Sequence, residues 1–155
     1  MAHARTTIRE AVAALLAAAG TAASTRVYES PNEPRSRFPA LVVCDPENGD
    51  VEDQGATTLP GGPDRTIERR YRFDVRCEVQ QNSGFAAARD SLAAEVETEI
   101  ASALINSPAL SGVKQITPAG FDVRYEQVGE HPITVGIQHF TALYFTRQGA
   151  PGVFI

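Results

Sequence analysis

Apolar side chains at Ile8, Val12, Leu15, Leu16 and Ala19 recur at helical spacing and Gly20 follows, which predicts a helix over residues 7–19. Thr7 and Glu10 stand at capping-box spacing at its start. The opposite face carries Arg9 and alanines, so the helix can lie flat on a sheet. A short strand is expected over 25–29, then an irregular link punctuated by Pro31, Pro34 and Pro39. The run ALVVC at 40–44 reads as a buried strand closed by the turn pair Asp45–Pro46. The clearest pattern is 69–79, where Tyr71, Phe73, Val75, Cys77 and Val79 alternate with Arg70, Arg72, Asp74, Arg76 and Glu78. That period of two predicts an antiparallel strand with one face in the core and the other solvated or reserved for a partner. After Gln81–Gly84 a second helix is expected over 85–105, burying Ala88, Leu92, Val96, Ile100, Ala103 and Leu104. Strands over 113–118, 121–127 and 135–146 complete the chain. The order predicts one two-layer α+β domain over 1–155: a mainly antiparallel sheet, two helices packed on one face and a long β-hairpin loop.

That loop is residues 45–66, where periodicity stops and Asp45, Glu47, Asp50, Glu52, Asp53 and Asp64 gather among Gly and Pro. Long structureless loops inside compact domains are uncommon and often functional. Over the whole chain 14 basic and 19 acidic side chains give 14 − 19 = −5. This balance argues against a dedicated nucleic-acid binder, which needs a basic surplus on one face. Residues 11–19 could pass for a weak secretory segment, but Glu10 abuts the run and most of it is alanine. A cytoplasmic product is the expectation.

Sites of chemistry are scarce. Cys44 and Cys77 sit in strand-like VVC and VRC and read as buried thiols. His3, His131 and His139 have no metal-ligand partner at short spacing, and neither cysteine has a second one nearby. The acidic loop offers oxygen ligands, yet counted from Asp45 its sixth and twelfth positions hold Asp50 and Ala56 instead of the Gly and Glu of an EF-hand. LPGGPD lacks the ending of a phosphate loop, and Ser83 fits turn chemistry better than a nucleophile elbow. Glu95 and Glu99 share a helix face and read as solvated. No catalytic, cofactor or metal site is expected.

The unusual feature is basic: Arg65, Arg69, Arg70, Arg72 and Arg76 lie within twelve positions, and Arg70, Arg72 and Arg76 share one strand face. Arginine's planar fork pairs with carboxylates as readily as with phosphate. Two readings stand. The arginines pair within the chain across the sheet, or this face meets the acidic loop (Asp50, Glu52, Asp53) of a neighbouring subunit in a ring or stack.

In layout the chain resembles the tail terminator proteins of long-tailed phages and gene transfer agents. The resemblance rests on the order of Ile8, Arg9, Val12 and Leu16 in a first helix, Val27 and Tyr28 in a short strand, and the link into Phe38–Pro39–Ala40–Leu41–Val42–Val43. A hairpin loop, the alternating strand 71–79, a helix with Ala87, Leu92, Val96 and Ile100, and a closing strand 138–146 follow. The resemblance implies a small sheet with two helices and a virion protein of the tail neck, assembled in the host cytoplasm. It implies a ring, six copies in the family, at the head-proximal end of the tail tube. Such a ring stops tube polymerisation, contacts tube protein and the head connector or stopper, and passes DNA through its opening without reading sequence. No cofactor and no membrane are implied. Rival readings are a head-completion or connector adaptor of the same particle, a ligand-binding or enzymatic domain using His139 or Cys77, and a nucleic-acid module using the arginine strand.

Overall fold

The computed structural model describes residues 2–55 and 65–155. Seven strands, β1 (Val27–Tyr28), β2 (Ala40–Cys44), β3 (Glu52–Gly55), β4 (Thr66–Gln80), β5 (Val113–Val128), β6 (His131–Arg147) and β7 (Ala150–Phe154), form one sheet. Its order is β1-β2-β4-β6-β5, with β3 beside the first half of β4 and β7 at the end of β6. Every pairing is antiparallel except β1 with β2. Helices α1 (Ala4–Ala18) and α2 (Phe85–Ala101), with the short α3 (Ala103–Asn106) and a 3-10 turn at Pro108–Leu110, complete the expected α+β architecture.

The alternation in β4 sets the layers. Tyr71, Phe73, Val75, Cys77 and Val79 are buried together with Ile8, Val12 and Leu16 of α1 and Leu92, Val96 and Ile100 of α2, so both helices share one core on one sheet face. β4 pairs with β6 without a slip from Thr66↔Arg147 to Gln80↔Ile133. A strand with one buried face specifies its register, because a one-residue shift would turn every core side chain outward. Phe73 and Phe140, directly opposite in this register, stack with ring centroids 5.5 Å apart. On the other face a small cluster of Ile133, Val135 and Ile137 is covered by Phe38 from the proline-rich link.

Several boundaries differ from the sequence reading. α1 begins at Ala4 because Ala4 is fully buried one turn before Ile8. Its cap is His3, whose ring accepts from the Arg5 N–H at 3.2 Å, so Thr7 and Glu10 lie inside the helix and form no capping box. In α2 the buried stripe runs Arg89, Leu92, Ala93, Val96, Ile100, leaving Ala88 exposed. That helix also stops at Ala101, and Ser102, whose hydroxyl donates to the Glu99 carbonyl, separates it from α3. The acidic loop is not wholly irregular: Glu52–Gly55 is β3, paired with Glu68–Tyr71 of β4. Residues 56–64 of the expected loop lie outside the described residues. The strands expected at 113–118 and 121–127 are one strand, β5, whose register shifts between Pro118 and Gly120. Proline cannot donate to a ladder, so it is accommodated at a bulge without ending the strand, and Gly120 with φ 128° takes up the turn. β7 had no periodic signature. It is held by Phe154, packed edge-on against Tyr144 and seated where Gly112 has no side chain.

Candidate interaction face on the sheet

The outer face of the sheet, opposite the helices, is built from the even positions of β4 and the odd positions of β6. Register places Arg70 opposite Leu143, Arg72 opposite Thr141, Asp74 opposite His139, Arg76 opposite Ile137 and Glu78 opposite Val135. The strand pattern anticipated a charged outer surface, but over half of it is closed. Asp74, Arg76 and Glu78 are buried beneath the proline-rich link and the segment after β2. Arg35, from that link, holds both carboxylate oxygens of Glu78, one of them at 2.6 Å, and also donates to the carbonyls of Pro31 and Glu33. Arg76 reaches Glu126 of β5 at 2.5 Å, Glu78 at 3.3 Å and Glu47 at 3.4 Å. Buried charges persist only when paired, and each of these is, although the Nε of Arg76 has no hydrogen-bond partner among the described residues.

The same pairing explains the acidic loop. Asp45 accepts from Arg9 at 3.1 Å and from the Tyr71 hydroxyl at 2.7 Å. Glu47 pairs with Arg124, whose hydrogen bond holds the carboxyl below its usual range, and with Arg76. Asp50 lies 2.9 Å from Arg72, and Asp53 pairs with the same guanidinium. Glu52 is bound by Arg69 and lies 3.6 Å from Arg5. Each described carboxylate from 45 to 53 therefore has an arginine partner. Of the two readings of the arginine strand, pairing within the chain is what the structure contains.

The six residues singled out as an interface separate into three environments. Arg70, Arg72, Asp50 and Asp53 are together at the open end of the outer face, where Arg70 pairs with Glu68 at 2.6 Å and keeps about half of its side chain in solvent. Arg76 shares their face but is enclosed. Glu52 lies on the helix side, buried against Arg69 and the Tyr144 hydroxyl, because β3 sets it opposite Tyr71 instead of Arg70. Strand parity could not place Glu52, since no periodicity marked β3.

Beside the open end lies a depression of about 360 Å³ lined by Glu47, Asp50, Arg72, Asp122, Arg124 and His139 among others. His139 is held at both ring nitrogens, Nδ1 at 2.6 Å from Asp74 and Nε2 at 2.7 Å from Asp122. Burial disfavours its charge, but the hydrogen bonds to Asp122 and Asp74 outweigh that and raise its pKa above the ordinary histidine value. Asp74 is lifted by burial, more than the bond to His139 lowers it. No local pattern along the chain points to this cluster, because its three members come from β4, β5 and β6 and meet only through register. The pairings of Arg35 with Glu78 and of Arg124 with Glu47 likewise join residues far apart in the chain, which local spacing does not bring together.

Cys44 and Cys77 are buried free thiols, as expected, and burial pushes both up to about 12, which leaves the thiolate inaccessible near neutrality. Among the described residues no group of three or more His, Cys, Asp or Glu is arranged to hold a metal ion. No helix among them is long and apolar enough to cross a membrane. Fold and surface together define a class: an α+β protein with a helix-covered core and an opposite, ion-paired sheet face. Comparison with protein families finds no family model that matches the chain, and comparison with curated proteins finds no match.

Proposed function

We propose that this protein is a structural component of a phage-like tail, forming a ring at the head-proximal end of the tube that terminates tube polymerisation and joins the tail to the head connector. The observation that carries this reading is the open end of the outer face. There Arg70 and Arg72 lie beside Asp50 and Asp53, next to the base of the β3–β4 hairpin. A cyclic ring uses heterologous contacts, in which one patch meets a different patch of the next subunit, and a surface offering both charges beside the paired β3 and β4 strands suits that requirement. The order of elements supports it as well: helix, short strand, proline-rich link, strand, hairpin, long strand, helix and closing strands follow the family layout.

The test is electron microscopy of particles produced with and without the gene, scoring tail length and head attachment. Tails of uncontrolled length that fail to join heads are the expected result. Tails of normal length that remain detached from heads would move the protein to the head side of the joint, and wholly normal particles would end the reading.

A further inference from the structure

We propose that the free edge of β5 is a self-association site, at which a second copy of this chain adds its own β5 antiparallel about a twofold axis at Val123. This inference goes beyond the tail reading and does not depend on it. β5 is the last strand of the sheet, and among the described residues no strand lies beyond it. Natural edge strands are usually blunted by charged side chains, lysine above all, by proline or by bulges. Here residues 120–128 contain neither lysine nor proline, the bulge lies before them, and their charges, Asp122, Arg124 and Glu126, alternate in sign instead of repelling as a block.

The helix-side face of this edge is apolar and open: Phe121, Val123 and Tyr125 are 44%, 41% and 65% exposed. The rings are held in place from beneath. Phe121 lies over Gly136, where an added Cβ would come within 2.8 Å of its ring, and Tyr125 packs edge-on against Phe85. The outer-face neighbours are Asp122, Arg124 and Glu126, the first two exposed.

The identity of the partner follows from the sequence of the edge. With Val123 on the axis, Phe121 faces Tyr125 of the second copy and Val123 faces itself. On the other face Asp122 meets Arg124 of the second copy, and the symmetry makes each pair twice. Aromatic pairs and opposite charges directly across a ladder are favourable, and both recur here in one register. The edge is complementary to itself, so the pairing is isologous and closes at two copies. A one-residue displacement would place Asp122 opposite Val123 and lose both sets of pairs.

Sedimentation of the purified full chain tests this, with thermal melts confirming that each variant folds. The expected species has twice the 16.6 kDa chain mass. Asp122→Arg, which sets two arginines against each other at both ends of the axis, should weaken the dimer by roughly tenfold or more. Adding Arg124→Asp restores the opposite-charge pairing and should recover most of that loss, although the bonds of Asp122 to His139 and of Arg124 to Glu47 stay broken. Val123→Lys, which leaves those bonds intact, should give a folded monomer. Val123→Cys should be cross-linked efficiently by a short bis-maleimide, since Cys44 and Cys77 are buried. A monomer at concentrations of about 100 μM, where even a weak specific pair would assemble, overturns the proposal. So does a dimer or larger assembly that ignores the charge reversal and does not cross-link at position 123.

Discussion

Arg35 and Glu78 form the most enclosed ion pair among the described residues, with side chains 3% and 0% exposed. Removing Arg35 leaves the enclosed Glu78 carboxylate with Arg76 alone, at 3.3 Å, so Arg35→Ala should cost up to about 3–5 kcal/mol in urea unfolding. The double change Arg35→Met with Glu78→Leu should cost clearly less, because no charge is left behind and Arg76 retains Glu126 and Glu47. Equal losses would mean that the link is held by packing rather than by the pair. His139 makes a prediction of a different kind. Its folded pKa lies above the unfolded value of about 6.5. The stabilisation from charged His139 between Asp74 and Asp122 is therefore complete below that value and lost as pH rises through the folded pKa. The buried Asp74 carboxyl titrates above its unfolded value, so the burden of ionising it enters at lower pH, in a separate window. Melting temperatures of the wild type should fall from mildly acid to mildly alkaline pH, and His139→Gln should flatten that decline. Parallel curves for the two proteins would remove His139 from the account.

At the scale of elements, β7 shows how a strand without periodicity is held. Gly112, at the entry to β5, would place an added Cβ 2.3 Å from the Phe154 side chain. Gly112→Ala should therefore displace β7 and cost about 1–3 kcal/mol, the range of overpacking a fitted site. Hydrogen exchange should show faster amides in Ala150–Phe154 with β4 unchanged, and Phe154→Ala in the same chain should restore part of the loss of stability. Uniform loss of protection would assign Gly112 to the global core instead. β3 is the second element held from outside its own sequence. Four residues without an apolar side chain pair with β4 because Glu52 is anchored by Arg69 on the helix side and Asp53 by Arg72 on the other.

At the scale of the whole molecule, the sheet has one face covered by two helices except along the β5 edge, and a second face that is closed at one end and open at the other. The charges at the open end are the ones available to a neighbour. Among the described residues Arg70 pairs with Glu68 alone and is half exposed, so Arg70→Glu should leave folding within about 0.5 kcal/mol, as surface changes usually do. The tail-ring reading expects the same change to abolish capping of tail tubes, scored by tube length in electron micrographs. Normal capping by a normally folded variant would detach this face from assembly. Arg72→Glu should weaken both, since Arg72 also binds Asp50 and Asp53 within the chain.

The core of this fold was legible in the chain itself. Period-two alternation over Tyr71–Val79, the ALVVC run and the helical recurrence of Ile8, Val12 and Leu16 each fix a buried face by local spacing, and each is buried as that spacing requires. Local spacing also showed the arginines of β4 on one side and the acids of the preceding loop as a group. It could not show that they neutralise one another. Pairing Arg72 with Asp50, Arg124 with Glu47, or His139 with Asp74 and Asp122 depends on which strands are neighbours and on their register, and both are set by the packing of the whole sheet. The free edge of β5 belongs to the same level. Its alternating residues are visible in one dimension, but only the strand order leaves that edge without a partner.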